Sequence, residues 1–177
     1  MKPTLQISLL VAYMVLAASP AWPDAEDLKV QQVITDLAGA YMAFPQTLDR
    51  HSVLKYFAQD YSFIDEAGPH SLQDIERMLA DLEQELTRGP VVITEQISEI
   101  AVHVEGVLAW ATYWDRVTIA QHGDTTDDVA HCTAIFRKLP TGWVYQHEHC
   151  SSHTLDKDAE QKELTKLARH LDRTVAG

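Results

Sequence analysis

The chain has 177 residues, which is enough for one domain with a substantial core but short for two domains of typical size. Its formal net charge of −12 repels phosphate backbones and anionic lipid headgroups. This charge disfavours nucleic-acid binding, whereas a neutral or cationic small molecule is a compatible partner.

The N-terminal segment has the pattern of a secretory signal. Lys2 precedes an apolar run over residues 7–18, and Ser19-Pro20-Ala21 offers small residues for cleavage. The run is shorter than the roughly 20 apolar residues that a transmembrane helix needs. We therefore expect removal of residues 1–21, export to the periplasm or the medium, and no membrane attachment afterwards. The alternative is an uncleaved N-terminal anchor.

The next part of the chain favours helices. Asp24 predicts the N-cap of a helix that runs to about Phe44, where Pro45 should end it. A short second helix is predicted over 49–57 and a strand over 61–65. Ser71 then predicts the start of a third helix, with Gly89 just past its end.

After Pro90 the pattern changes to strands. Four runs, at about 91–104, 107–120, 127–138 and 143–153, are joined by short turns and predict an antiparallel meander. Helices followed by such a sheet indicate an α+β fold over residues 24–155, a cone-shaped curled antiparallel sheet covered by the N-terminal helices. Residues 156–177 are charged, with a modest leucine stripe, and predict a peripheral C-terminal helix.

The last two strands carry both cysteines of the chain. If paired residues sum to 282, Cys132 faces Cys150 and a disulfide can form; if they sum to 281, the two point to opposite faces. The turn at Leu139-Pro140-Thr141-Gly142 does not decide between these registers. An exported protein would favour the disulfide.

The final strand alternates aromatic and histidine residues. Trp143, Tyr145, His147 and His149 occupy alternate positions, which share one face of a regular strand. We therefore expect the histidines in the pocket row with the aromatic residues. A register slip would instead place the even-numbered residues, Glu148 among them, in that row.

Two segments carry a family resemblance. The closing hairpin, from Thr133 to Lys138 and from Gly142 to Ser151, resembles the end of SnoaL-like domains of the NTF2-like (ketosteroid isomerase-like) superfamily, and is also similar to the association domain of calmodulin-dependent kinase II. Residues 56–65 are similar to the helix-to-strand passage of the same superfamily. The resemblance implies the NTF2-like (cystatin-like) roll, and it covers about 27–152.

The resemblance also implies candidate catalytic residues. Asp65 falls where related isomerases keep their general base, and Tyr41 falls where they keep an oxyanion-hole tyrosine. An apolar pocket would raise the pKa of Asp65 and suit it to proton transfer near neutral pH. His147 and His149 are further candidates for steadying an oxyanion. Each has a structural alternative: a solvated strand end for Asp65, a core tyrosine for Tyr41, and a strand hydrogen bond or a subunit interface for the histidines.

Aromatic residues on the predicted strands are candidates to line an apolar pocket or to form the core or a dimer interface. The candidate ligand-contacting residues are Tyr61, Trp110, Trp114, Phe136 and Tyr145. No cofactor and no metal site are expected, because no CxxC or HExxH signature accompanies the histidines. The alternative is a metal held jointly by His147 and His149, with a third ligand from His131, Cys132 or His153.

Two functions remain open at this point. The first is a non-catalytic module that binds a small hydrophobic molecule or forms oligomers, with a homodimer as the default. The alternative is a cofactor-free acid–base isomerase, cyclase or dehydratase that uses Asp65. Fold alone does not choose between them.

Overall fold

A computed structural model describes residues 24–154 of the chain. The expected signal segment 1–21 and the C-terminal helix 156–177 lie outside these residues. The elements are α1 (Ala25–Thr47), α2 (Arg50–Leu54), β1 (Phe57–Asp65), β2 (Gly68–Ser71), α3 (Leu72–Leu86), β3 (Val91–Glu105), β4 (Leu108–Gln121), β5 (Asp124–Leu139) and β6 (Gly142–Thr154). Among residues 24–154, no helix combines the length and the apolarity needed to cross a bilayer.

Helix α1 begins at the predicted cap. The Asp24 carboxylate accepts hydrogen bonds from the amides of Glu26 and Asp27, which satisfies donors that the first turn leaves free. Val30, Ile34, Leu37 and Phe44 form its buried stripe. The Glu26 carboxylate accepts hydrogen bonds from Lys138 and Trp143 and so fixes the start of α1 to the β5–β6 hairpin.

The prediction that Pro45 ends α1 is wrong, because the helix continues to Thr47. Two contacts satisfy the carbonyls of the last turn. The Thr47 hydroxyl donates to the Ala43 carbonyl at 3.2 Å, and the Leu48 amide donates to the Phe44 carbonyl at 2.9 Å. Leu48 takes a left-handed conformation, with φ of 53°, and closes the helix.

The six strands form one curled, unclosed sheet in the order β2-β1-β6-β5-β4-β3. The meander β3–β6 is antiparallel, as predicted, and β1 joins it parallel to β6. Helix α1 packs over β3 and reaches β6, while α3 packs against β1 and β2. The α+β prediction is confirmed, and the covered side of the sheet, called the inner face below, holds the core.

Candidate functional site

The side chains of β6 change faces at a β-bulge. Tyr145 pairs with Phe136 and His147 pairs with Ile135, so Gln146 has no partner of its own on β5. Both registers considered for this hairpin therefore occur. The numbers of paired residues sum to 281 between the turn and the bulge, and to 282 beyond the bulge. An inserted residue moves every later side chain to the opposite face.

The bulge decides which residues line the inner face. Tyr145 is buried there on the turn side of the bulge, and Glu148 and Cys150 take the inner positions beyond it. The prediction that His147 and His149 share a face with Tyr145 is therefore wrong, and the even-numbered alternative holds.

Glu148 occupies the centre of the inner face. It lies beside Phe63 of β1 and Ala134 of β5, whose small side chain leaves room in the row. Its carboxylate accepts hydrogen bonds from the hydroxyl of Tyr61, at 3.0 Å, and from that of Tyr113. Two strands that are distant in sequence thus hold one carboxylate.

Burial dominates the electrostatics of this carboxylate. It raises the pKa of Glu148, and the hydrogen bonds from Tyr113 and Tyr61 lower that pKa by a smaller amount. The result is a carboxyl group with a pKa above its usual value that is held between two phenols. Such a group holds its proton more tightly than an exposed glutamate does, which suits it to proton transfer.

Two more acids occupy inner positions towards the other end of the sheet. Burial, and then the charges of Asp115 and Glu148, raise the pKa of Glu95 to about 8. Burial, and then the charges of Glu148 and Asp128, raise the pKa of Asp115 to about 7. Three interior carboxyl groups therefore titrate at higher pH than ordinary acids.

Tyr41 projects from α1 towards these acids. Burial raises its pKa well above the usual value, and the charges of Glu148, Glu95 and Asp115 raise it further. The phenol is therefore protonated at all physiological pH values and can only donate or accept hydrogen bonds as a neutral group. Tyr61, Phe136 and Tyr145, also predicted from the sequence, are buried on the same face.

Asp65 has a different environment. It ends β1, and its carboxylate accepts hydrogen bonds from the amides of Ala67 and Gly68, at 2.8 and 3.2 Å, and lies 3.0 Å from His70 Nε2. Burial raises the pKa of Asp65, but the His70 and amide contacts outweigh burial and leave the pKa below its usual value. The structure thus gives Asp65 the bonding of a turn residue.

The predicted histidines and tryptophans lie on the opposite, outer face. His147 Nδ1 is 2.7 Å from the Ser62 hydroxyl, and His149 is exposed. Trp110 packs on His103 and Trp114 on His131, with ring centroids 4.2 and 4.8 Å apart. The structure therefore separates His147, His149, Trp110 and Trp114 from the inner site.

Cys132 and Cys150 are directly opposite each other and form a disulfide. Their sulfur atoms and a Glu148 carboxylate oxygen all lie within 4.8 Å of one another. The disulfide therefore forms part of the floor beside Glu148 and ties β6 to β5 next to the site.

The sequence contains a signal for Glu95 and Asp115, although neither is among the predicted site residues. Glu95 interrupts the apolar alternation of Val91, Ile93 and Ile97. Asp115 interrupts the β4 row of Tyr113 and Val117 in the same way. An acid in the apolar row of a half-buried strand indicates a functional position.

A family model described as a SnoaL-like domain matches residues 30–155. A comparison with curated proteins finds no significant match. The resemblance drawn from the closing hairpin and from residues 56–65 is confirmed.

Solved structures with the same fold share little sequence with this chain. A conserved protein from Planctomyces limnophilus has a TM-score of 0.60 and 17% identity, over 74% of this chain and 98% of its own. A provisionally assigned Ca/calmodulin-dependent kinase II association domain from Exiguobacterium sibiricum has a TM-score of 0.60 and 14% identity, over 75% of this chain and 97% of its own. A provisionally assigned NTF2-like dehydratase from Streptomyces avermitilis has a TM-score of 0.57 and 16% identity, over 73% of this chain and 97% of its own. At these identities the likeness shows the fold alone.

Proposed function

We propose that this chain, which belongs to the SnoaL-like family, acts on a small organic molecule as a cofactor-free acid–base catalyst with Glu148 as its proton-carrying group. The observation that carries the proposal is the inner carboxyl group of Glu148 between the hydroxyls of Tyr61 and Tyr113. The provisional assignment of the Streptomyces avermitilis structure as a dehydratase is compatible with this reaction class.

The mechanism follows from the charges of the site. The Glu148 carboxylate takes a proton from a carbon beside a carbonyl, and the C–H electron pair moves into the carbonyl to form an enolate. Tyr61 and Tyr113 orient the carboxylate, and the neutral Tyr41 phenol is a hydrogen-bond donor near the developing oxyanion. Protonated Glu148 then returns the proton to another carbon in an isomerisation, or to a departing hydroxyl in a dehydration.

A generic proton-abstraction probe tests the role of Glu148 before the substrate is known. In a nitrobenzisoxazole, loss of the ring C–H proton breaks the N–O bond and releases a coloured cyanophenolate. We expect the wild type to open the ring faster than acetate at equal concentration, with a rate that rises with pH through the raised pKa of Glu148. Glu148→Gln should lower the rate by about 10²–10⁴-fold.

Asp65→Asn is the matched control. It also replaces a carboxylate by an amide, at the end of β1, but it leaves the residues around Glu148 unchanged. It should change the rate less than about threefold, in line with an indirect role. Circular dichroism establishes that both variants are folded. Equal loss in both variants, or activity retained in folded Glu148→Gln, overturns the assignment of Glu148.

The outer face supports a second function, self-association as a homodimer. Trp110 and Ile135 are cross-strand neighbours there and are 44% and 39% exposed, so together they present a contiguous apolar surface. Trp110→Glu should convert a dimer into a monomer in sedimentation analysis at micromolar concentration. A monomeric wild type, or a Trp110→Glu variant that remains a dimer, contradicts self-association through the outer face.

Export is part of the proposal. The pattern of residues 1–21 supports it, and so does the Cys132–Cys150 disulfide, because disulfides persist in oxidising compartments. Mass measurement of the protein recovered from the periplasm or medium of an expression host should show loss of about 21 residues. An intact Met1 or cytoplasmic retention contradicts export.

A further inference from the structure

Tyr145 is a buried phenol on the same strand as Glu148. Its side chain is 1% exposed, and its hydroxyl lies 3.4 Å from the hydroxyl of Tyr113. Within residues 24–154, Tyr113 is the side-chain hydrogen-bond partner of this hydroxyl. Buried polar groups in native proteins are nearly always hydrogen-bonded, so the Tyr145 hydroxyl depends on Tyr113.

The direction of this hydrogen bond follows from Glu148. Tyr113 has one hydroxyl proton and donates it to Oε1 of the Glu148 carboxylate. The Tyr113 oxygen can therefore only accept from Tyr145 while Glu148 is ionised. Tyr145, Tyr113 and Glu148 thus form a directed chain of hydrogen bonds that ends on the carboxylate.

The β-bulge at Gln146 places both ends of this chain on one face of the sheet. Tyr145 and Glu148 are three positions apart on β6, and in a regular strand such positions point to opposite faces. The extra residue between them brings Glu148 to the face of Tyr145. Bulges next to functional sites commonly re-aim a side chain in this way.

Tyr113 reaches Glu148 across an intervening strand. Tyr113 lies on β4 and Glu148 on β6, and β5 separates them with the small side chain of Ala134 beside Glu148. The tip of the Tyr113 side chain meets Glu148 as acceptor and Tyr145 as donor. We propose that Tyr145 is a positioning residue, whose hydroxyl holds the Tyr113 hydroxyl on Glu148; this rests on the proposed function only for the role of Glu148 as the base.

Tyr145 acts through Tyr113 and does not carry protons itself. Burial raises the pKa of both phenols, so both stay neutral at physiological pH. A donor to Tyr113 polarises its hydroxyl and strengthens the next bond in the chain by about 10–30%. The 3.4 Å separation exceeds the usual O–H···O distance of about 2.5–3.0 Å, so removal of Tyr145 should affect Glu148 less than removal of Tyr113.

A double-mutant cycle on the titration of Glu148 tests the chain. Carbon-13 NMR follows the side-chain carboxyl, and the Glu148 signal is the one that Glu148→Gln removes. The bond from Tyr113 lowers the pKa of Glu148, so Tyr113→Phe should raise the midpoint by about one pH unit. Tyr145→Phe should raise it by about 0.2–0.5 unit in the wild type and leave it unmoved in the Tyr113→Phe background.

The other titratable groups that face Glu148 stay unchanged in these variants. They are Tyr41 on α1, Tyr61 on β1, Glu95 on β3 and Asp115 on β4. Tyr56→Phe makes the same chemical change away from Tyr113 and is the control, with circular dichroism to establish folding. No shift in Tyr145→Phe, an equal shift in both backgrounds, or an equal shift in Tyr56→Phe overturns the positioning role.

The nitrobenzisoxazole assay reports separately on catalysis. Where Glu148 is the base and Tyr145 positions Tyr113, the pH midpoint of ring opening follows the NMR midpoint in every variant. The NMR coupling without ring opening in the wild type removes the catalytic proposal alone. Ring opening without the NMR coupling removes the positioning role of Tyr145 alone.

Discussion

Glu148 and Asp65 are carboxylates on the neighbouring strands β6 and β1, and both accept hydrogen bonds, yet their properties are opposite. The donors to Glu148 are two phenols within the core, and burial raises its pKa. The donors to Asp65 are backbone amides and an imidazole at a turn, and they hold its pKa below the usual value. Glu148 is thus prepared to carry a proton and Asp65 to remain ionised.

This difference shows that a position in a fold does not determine the chemistry of the residue placed there. The family resemblance predicts a general base at Asp65, but Gly68, with φ of 123°, lets the chain turn immediately and brings two amides to the carboxylate. Glu148 acquires the apolar and phenolic surroundings expected of a base. The opposite pKa shifts of Glu148 and Asp65 therefore come from their different burial and hydrogen-bond donors.

The largest expected effect concerns the anchor of the Glu148 region. Replacing both cysteines, in Cys132→Ala with Cys150→Ala, should lower the free energy of unfolding by about 3 kcal/mol, because the bond closes a separation of 18 residues. Urea unfolding of the variant against the oxidised wild type measures this loss. Addition of a reductant should reproduce it in the wild type and leave the variant unchanged; stability that is insensitive to both treatments contradicts the role of the disulfide as an anchor.

Local signals in the sequence predicted most of the architecture and less of the site. The caps at Asp24 and Ser71 and the turns of the meander involve residues a few positions apart, so the sequence indicates them directly. The bulge at Gln146 lies instead beside a segment distant in sequence, where the Tyr145 amide donates to the Tyr56 carbonyl at 2.8 Å, one residue before β1. The faces of His147 and Glu148 follow from the bulge, and the hairpin sequence alone does not indicate its position.

A second prediction tests the charge on the inner face through stability. Glu95 has a folded-state pKa of about 8, above the unfolded value of about 4.3, so its ionised form destabilises the fold. The penalty is absent below about pH 4, grows as pH rises, and is complete above about pH 8. The full shift would correspond to about 5 kcal/mol, and partial exposure of the side chain reduces this, so Glu95→Gln should raise the free energy of unfolding by on the order of 2–3 kcal/mol at pH 8 and by little at pH 4.

Glu105→Gln supplies the control for this measurement, because Glu105 is an exposed acid on the same strand. Unfolding curves for both variants at pH 4, 6 and 8 give the comparison. A flat pH dependence for Glu95→Gln, or the same dependence in Glu105→Gln, shows that the inner face does not confine charge.

A third prediction sharpens the role of the phenols. Tyr61→Phe removes the donor that lies 3.0 Å from Glu148. Because this hydrogen bond lowers the pKa of Glu148, its loss should move the pH midpoint of ring opening upward and cost about 1–2 kcal/mol of stability at neutral pH. Tyr56→Phe makes the same chemical change away from Glu148 and should leave the midpoint unmoved. A downward or absent shift in Tyr61→Phe contradicts the assigned hydrogen bond.

The smallest expected effect belongs to Asp65. Its folded-state pKa lies below the unfolded value, so it contributes stability above the unfolded pKa, and that contribution is lost as pH falls through the folded pKa. Its side chain is 28% exposed and meets solvent at the turn, so screening limits the contribution to about 0.5–1 kcal/mol. Asp65→Asn should be less stable than the wild type by that amount at pH 7 and equal to it near pH 2, which thermal unfolding at the two pH values measures. If the variant is instead more stable at pH 7, Asp65 has an unfavourable buried charge like that of Glu95, and it returns as a candidate base beside Glu148.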